Sequence, residues 1–240
     1  MKILMIDIGG TSVKMMASGH EGFRKFPSGE KLTAAGMVRL VRKATHDWEF
    51  DAVTLGYPGI VARGAPAREP VNLGGGWVGF DYAKAFRCPV QIVNDAAMQA
   101  LGSYHAGRML FIGLGTSVGS ALIADDTLIP IEIGVLRLTK KRSFGDDLGD
   151  AALVERGRKQ WEAAVWKVVS YLREVFWPDE VVIGGGNAKQ LKTMPEGCRR
   201  RDNKDAFRGA QRLWPGADML AEVQTTTWRI KRPAHRPSAR

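Results

Sequence analysis

The sequence predicts an α/β protein built from two related halves that face each other across a cleft. Three observations predict it. Apolar strand-like runs alternate with helical stripes along the chain, which is the pattern of α/β layers. The tetrapeptide Gly-Thr-Ser-Val occurs at Gly10–Val13 and again at Gly115–Val118, each time between two apolar runs. The length of 240 residues suits one large domain or two small lobes, and either can bury a core.

The elements follow in order. Residues 2–8 and 13–17 read as a hairpin turned by Gly9, Gly10 and Thr11. Residues 32–46 carry Leu32, Met37, Leu40, Val41 and Ala44 at helical spacing. Ala52–Gly56 reads as a short strand ended by Tyr57-Pro58-Gly59, and a Gly, Pro and Arg-rich loop runs over 63–79. Val90–Val93 is a strand closed by Asn94-Asp95, with a helix over 96–104. The second hairpin occupies 109–123, and Thr127–Ile131 continues as strand. Residues 151–177 form the longest helical signal, with Trp161, Val165, Val168, Leu172, Val175 and Phe176 on one stripe; Pro178 ends it. Glu180–Ile183 is a strand turned by Gly184-Gly185-Gly186, and a terminal helix is expected at Ala206–Leu213, within an outer range of about 205–222. The resulting organisation is an N-terminal lobe at 1–93, a C-terminal lobe at 94–225, and a basic tail at 226–240 with little order. The terminal helix is expected to pack back on the first lobe.

Composition narrows the classes. No apolar run approaches the roughly 18 residues of a membrane span, and Asp7 interrupts the first apolar run, which therefore reads as a strand rather than a secretion signal. Two cysteines, Cys88 and Cys198, and four scattered histidines make no zinc site. A reducing cytoplasm is the expected compartment. The net charge is +10. Arg229, Lys231, Arg232, Arg236 and Arg240 lie at the end of the chain, and Arg199-Arg200-Arg201 with Lys204, Arg208 and Arg212 form a second cluster. They read either as a solvated tail and helix face or as an attractor for a polyanion. Only Trp228 interleaves with the terminal arginines, so nucleic acid is not the expected partner.

Four constellations could carry chemistry. The first is Asp7-Ile8-Gly9-Gly10-Thr11-Ser12-Val13-Lys14. Its glycines let backbone N–H groups approach an anion, Thr11 adds a hydroxyl, Lys14 adds a charge, and Asp7 could hold Mg²⁺ through water. The plain alternative is a β-turn whose Asp is satisfied by backbone donors. The second, Gly113–Gly119, offers Gly115 and Thr116 as another phosphate turn. The third is Asn94-Asp95 at a strand-to-helix junction, either an N-cap or a site where Asp95 is the base toward a substrate hydroxyl. The fourth is Gly184-Gly185-Gly186-Asn187, either a tight turn or the floor under a nucleotide. Two phosphate turns facing each other make phosphoryl transfer the first hypothesis. No nucleophile elbow, zinc-protease helix or Walker lysine loop competes.

In this order the pieces resemble the ROK family of sugar kinases, which have an actin-like, hexokinase-like (ribonuclease H-like) two-lobed fold, and within it the polyphosphate glucokinase branch. The matching segments are Asp7–Lys14, Tyr57–Val61, Asn72-Leu73 with Trp77, Asn94-Asp95-Ala96, Gly115–Gly119, Leu128–Pro130 with Glu132-Ile133-Gly134, and Trp177-Pro178-Asp179 with Gly184-Gly185-Gly186. The resemblance implies Asp95 as catalytic base, and Asn72, Asn94 and Glu132 as sugar ligands. It places Asp7, Gly9, Gly10, Thr11 and Lys14 at the transferred phosphate and Mg²⁺. Gly115 and Thr116 fall at the donor's other phosphates, and Gly185 and Gly186 beside a nucleotide. It implies a hexose acceptor, foremost glucose, an ATP or polyphosphate donor, and a homodimer. Val135 stands where the family's Glu-x-Gly-His motif has histidine, which leaves open a different hexose. It also leaves open a non-catalytic sugar or phosphate sensor. A third reading is a polyanion-binding module acting through the arginine-rich end. Family repressors carry a DNA-binding helix-turn-helix before the first strand; here that strand begins at residue 2, so a repressor is not expected.

Overall fold

The computed structural model describes residues 1–201 and 205–232. Lys204, Arg236 and Arg240 lie outside the described residues.

The first sheet grows from β1 (Ile3–Ile8) and β2 (Ser12–Ala17), the expected hairpin, extended by β3 (Arg24–Pro27). Helix α1 (Ala34–Ala44) is N-capped by the Thr33 side chain and buries Met37, Val38 and Val41. β4 (Ala52–Tyr57) runs parallel to β1, and a small hairpin of β5 (Val61–Ala62) and β6 (Ala65–Pro66) interrupts the expected loop. After α2 (Tyr82–Phe86), β7 (Val90–Asn94) pairs with β4. The sheet order is β3-β2-β1-β4-β7.

The second half repeats this plan. Helix α3 (Asp95–Ser103) leads to the meander β8 (Met109–Leu114), β9 (Val118–Ala124) and β10 (Thr127–Ile131). Two helices follow, α4 (Phe144–Leu148) and α5 (Asp150–Phe176). β11 (Glu180–Gly184) then pairs parallel to β8, and β12 (Cys198–Arg200) pairs parallel to β11. The run β10-β9-β8-β11-β12 therefore matches β3-β2-β1-β4-β7: an antiparallel meander followed by two parallel strands. Strand alternation divides the core in two. Met109 and Phe111 join the cluster shared with the first sheet, while Leu110 and Ile112 face Trp161, Val165 and Leu172 of α5.

Between the two sheets lie α3 and α6 (Asp205–Gln211), which contact β1 and β4 on one side and β8 and β9 on the other. The two helices touch backbone to backbone. A Cβ on Gly102 would overlap the Asp205 carbonyl, and one on Gly209 would overlap the Met98 carbonyl. Glycine at both positions is what permits this approach.

Three expectations need correction. The long helix does not run unbroken, because Gly157 takes φ 71° and interrupts α5. The terminal helix stops at Gln211 and is followed by β13 (Leu220–Val223) rather than continuing to 222. The segment from 226 is not without order through 232. β14 (Trp228–Lys231) pairs with β10 and β13 and buries Trp228 and Ile230, leaving Arg229 and Lys231 outside. Alternation, not basic composition, decides its structure. Residues 233–240 of that expected tail lie outside the described residues.

Candidate active site

The two Gly-Thr turns face each other at one end of the sheets. A methyl placed on Gly10 would lie 3.9 Å from the Thr116 hydroxyl oxygen and 3.9 Å from the Asn72 side-chain nitrogen. Three segments far apart in sequence thus converge on one point. Each turn is braced. The Gly9 N–H donates to the Ser12 carbonyl at 3.0 Å, and the Ser28 hydroxyl donates to the Gly9 carbonyl at 2.6 Å. In the second, the Gly115 N–H donates to the Ser117 carbonyl at 3.0 Å, and the Asp150 N–H donates to the Gly115 carbonyl at 2.9 Å. Thr11 and Thr116 are exposed at the two tips.

Asp7, the penultimate residue of β1, lies directly across from Lys14 on β2. Burial raises the Asp7 carboxyl above the usual range, and the positive charges of Lys14 and Arg201 oppose that rise. Asp95 opens α3 and accepts from the Ala96 N–H at 2.8 Å. Burial pushes its carboxyl up to about 8; the nearby charges of Asp7 and Glu132 add to this and the Ala96 hydrogen bond works against it. Burial also raises Glu132. Because that residue is exposed, solvent moderates its rise.

Asn94 and Asp95 divide the two roles that their position allows. The Asn94 carbonyl oxygen accepts from the Ala97 N–H at 3.0 Å, and its amide donates to the Gly59 carbonyl at 3.1 Å. Asn94 is therefore the helix cap, with one amide hydrogen left over. Asp95 is released from capping N2 or N3 and faces the other carboxylates.

The loop that carries Asn72 is closed by Glu69. Its carboxylate accepts from the Trp77 N–H at 3.1 Å and the Val78 N–H at 3.0 Å. The Trp77 indole N–H donates to the Gly74 carbonyl at 2.5 Å. Glu69 gave no signal in sequence beyond its place in a glycine-rich loop. Gly185 and Gly186 turn the end of β11 toward β8. Gly185 takes φ 81°, and a Cβ there would overlap the Leu114 carbonyl, so this glycine is required for packing as well as for access. Asn187 donates to Asp150 Oδ1 at 2.5 Å and so ties this turn to the second phosphate turn. Arg201, just past β12, was legible only as one of three consecutive arginines, and the parallel pairing of β12 with β11 brings it toward Asp7.

Comparison with known proteins follows this geometry. No family model matches the sequence. The chain is 27% identical over 150 residues to a polyphosphate glucokinase of Mycobacterium tuberculosis, an alignment covering 56% of this chain and 56% of that protein. It superposes on the inorganic polyphosphate/ATP-glucomannokinase of Arthrobacter sp. strain KM with a TM-score of 0.73 and 22% identity, covering 87% of this chain and 96% of the other. The ROK family glucokinase of Streptomyces griseus, solved with glucose and AMPPNP, gives a TM-score of 0.72 at 16% identity, covering 88% and 98%.

The fold is that of the ROK glucokinases. The chain spans little more than half the length of the M. tuberculosis relative it matches. The two Gly-Thr turns and Asn72 meet at one point, and Asp7 and Asp95 lie close enough for one carboxylate to act on the other. Among the described residues no helix is long and apolar enough to cross a membrane.

Proposed function

We propose that the chain is a hexose kinase that transfers a phosphoryl group from ATP or polyphosphate to a hydroxyl of a hexose, foremost glucose. The observation that carries this reading is the meeting of Gly10, Thr116 and Asn72 above a pair of carboxylates, Asp7 and Asp95. The similarity to a polyphosphate glucokinase and to an ATP-using or polyphosphate-using glucomannokinase supports both donors.

In this reading Asn72, Glu132 and the spare amide hydrogen of Asn94 hold the sugar hydroxyls. The acceptor oxygen attacks the terminal phosphorus, the bond from that phosphorus to its bridging oxygen breaks, and ADP or the shortened polyphosphate leaves with the electron pair. The hydroxyl proton passes to the Asp95 carboxylate. A loose transition state lets that proton leave late, so the chief task of Asp95 is to orient the nucleophile. Backbone N–H groups of the Gly9-Gly10-Thr11 turn, with Lys14, receive the transferred group, and Gly115 and Thr116 cradle the phosphates behind it. Gly185 and Gly186 border the nucleotide when ATP is the donor.

Asp7 suits Mg²⁺ held through water. Among the described residues no three His, Cys, Asp or Glu side chains form a metal cage, and Mg²⁺ needs only one or two carboxylates beside the donor's phosphates. When bound, Mg²⁺ would supply neutralising charge at the phosphates. We further propose a cytoplasmic homodimer, as the family resemblance implies.

The test is a coupled assay of every donor against a panel of hexoses. Turnover is expected with glucose and at least one donor; absence of turnover across the whole matrix rejects the reading. One observation favours a second reading, a non-catalytic sugar sensor. Val135, in place of the family histidine, is 71% exposed, and its side chain carries no polar group toward a sugar. Tight calorimetric binding of a hexose without turnover would select the sensor.

A further inference from the structure

The register of the first sheet places two lysines in line with Asp7. Asp7 lies opposite Lys14 across β1 and β2, and Lys14 lies opposite Lys25 across β2 and β3. Residues paired in this way point to the same face of a sheet. That face is the inner one, because Gly56, the partner of Asp7 on β4, points at Met98 of α3. A row of one carboxylate and two ammonium groups therefore runs from the phosphate turn to the sheet edge.

Like charges placed directly opposite each other in a sheet are unfavourable. Both lysines are exposed, and among the described residues neither has a carboxylate within ion-pair distance. The basic residues nearby do find partners: Arg24 pairs with Asp47, and Lys2 with Glu49 at 2.7 Å. The Lys14–Lys25 pair thus juxtaposes two ammonium groups across neighbouring strands, with Asp7 beyond Lys14 as the carboxylate in the row. Arg201 reaches the Asp7 end of the row from the second sheet.

We propose that Lys25, paired across the sheet with Lys14, forms a subsite for the distal phosphates of a linear polyphosphate longer than three units. The subsite rests on the phosphoryl-transfer reading above and names its donor. The chemistry favours a repeating polyanion over a nucleotide. Past its third phosphate, a nucleotide presents a ribose and a base, and the glycine turn suited to those is Gly184-Gly185-Gly186 on the other sheet. The edge of β3 offers charge alone. A lysine ammonium on its flexible stem can follow a mobile chain of phosphates without fixing one geometry.

The experiment compares the full chain with Lys25→Gln, Lys25→Glu and, as a remote control, Lys43→Ala on the exposed side of α1. Steady-state kinetics are measured with ATP, tripolyphosphate and linear polyphosphate of several tens of units. Calorimetry measures the binding of the same polyphosphate without sugar. Lys25→Gln is expected to raise KM for long polyphosphate about threefold to fivefold, the scale of one exposed charge pair, and Lys25→Glu more. KM for ATP and tripolyphosphate should move less than twofold. The salt dependence of polyphosphate binding should fall by about one unit of log–log slope, as for loss of one contact to a linear polyanion. Equal shifts for all three donors, or none, overturn the subsite. If the unsubstituted chain turns over no donor, the kinase reading fails by itself; the calorimetric comparison then decides the subsite, with undiminished polyphosphate affinity in Lys25→Glu overturning it.

Discussion

The two Gly-Thr-Ser-Val turns share a sequence and differ in structure and charge. In the first, Gly9 and Ser12 close a tip of two residues; in the second, Gly115 and Ser117 close a tip of one. The first is framed by Asp7 and Lys14, which face each other across β1 and β2. In the second, Ile112 and Gly119 stand at the same distances from the tetrapeptide. Gly119 is crowded: a methyl there would already lie 3.0 Å from the Ala96 side chain at the start of α3. The helix that presents Asp95 occupies the space a second lysine would need. One turn is thus an electrostatic site, and the other is a backbone cradle kept small by the helix beside it.

Four experiments can break or sharpen that contrast. The largest effect is expected at Asp95, which the cradle supports. Asp95→Asn should lower kcat about 10³-fold, within the usual range for losing a positioned base, with sugar affinity by calorimetry nearly unchanged. Next, the two turns should respond unequally. Asp7→Asn should cost about 100-fold in kcat, whereas Thr116→Val should cost less than about tenfold and act mainly on the KM of the donor. Equal losses would erase the distinction between site and cradle. Third, Gly185→Ala should destabilise the fold by about 3 kcal/mol, since it imposes both a positive φ and an overlap with Leu114; a denaturant melt reads this.

The smallest effect concerns pH. Burial raises Asp95 to about 8 in the folded chain, against 3.8 for the free side chain. Between those values the unfolded chain binds fewer protons than the folded one, so this carboxyl makes stability fall as pH rises. Asp95→Asn removes that penalty. It should therefore gain in stability over the parent as pH rises toward 8, with the gap closing toward pH 4. The rate should also rise with pH up to about 8 in kcat/KM, because only the ionised carboxyl can take the proton. A flat profile would remove Asp95 as the titrating base.

Much of this was legible in the sequence, for reasons that differ by element. The hairpin β1–β2, the strands β4, β7, β8 and β11, and the cores of α1 and α5 carry strong apolar periodicity, and they appear near the expected bounds. The interruption at Gly157 was not read, because the apolar stripe continues beyond it while a single φ breaks the helix. β14 was misread because its charge was weighed above the alternation of Trp228, Arg229, Ile230 and Lys231. Within the site, the local motif left capping and catalysis tied between Asn94 and Asp95; the contact of Asn94 with Gly59, 35 residues away, separates them. Arg201 and Glu69 were beyond local reading, since what makes them relevant is the strand pairing of β12 and the closure of the loop over Trp77.

The glycine contact between α3 and α6 carries a lesson for reading variants. Gly209 touches no proposed ligand and lies more than a hundred residues from Asp95 along the chain. A larger side chain there must push against the Met98 carbonyl, and Met98 belongs to the same short helix whose first residue is Asp95. Kinetic and thermal data on such a variant would then show a lowered melting temperature together with a loss of chemistry. A genotype that looks structural would carry a catalytic phenotype.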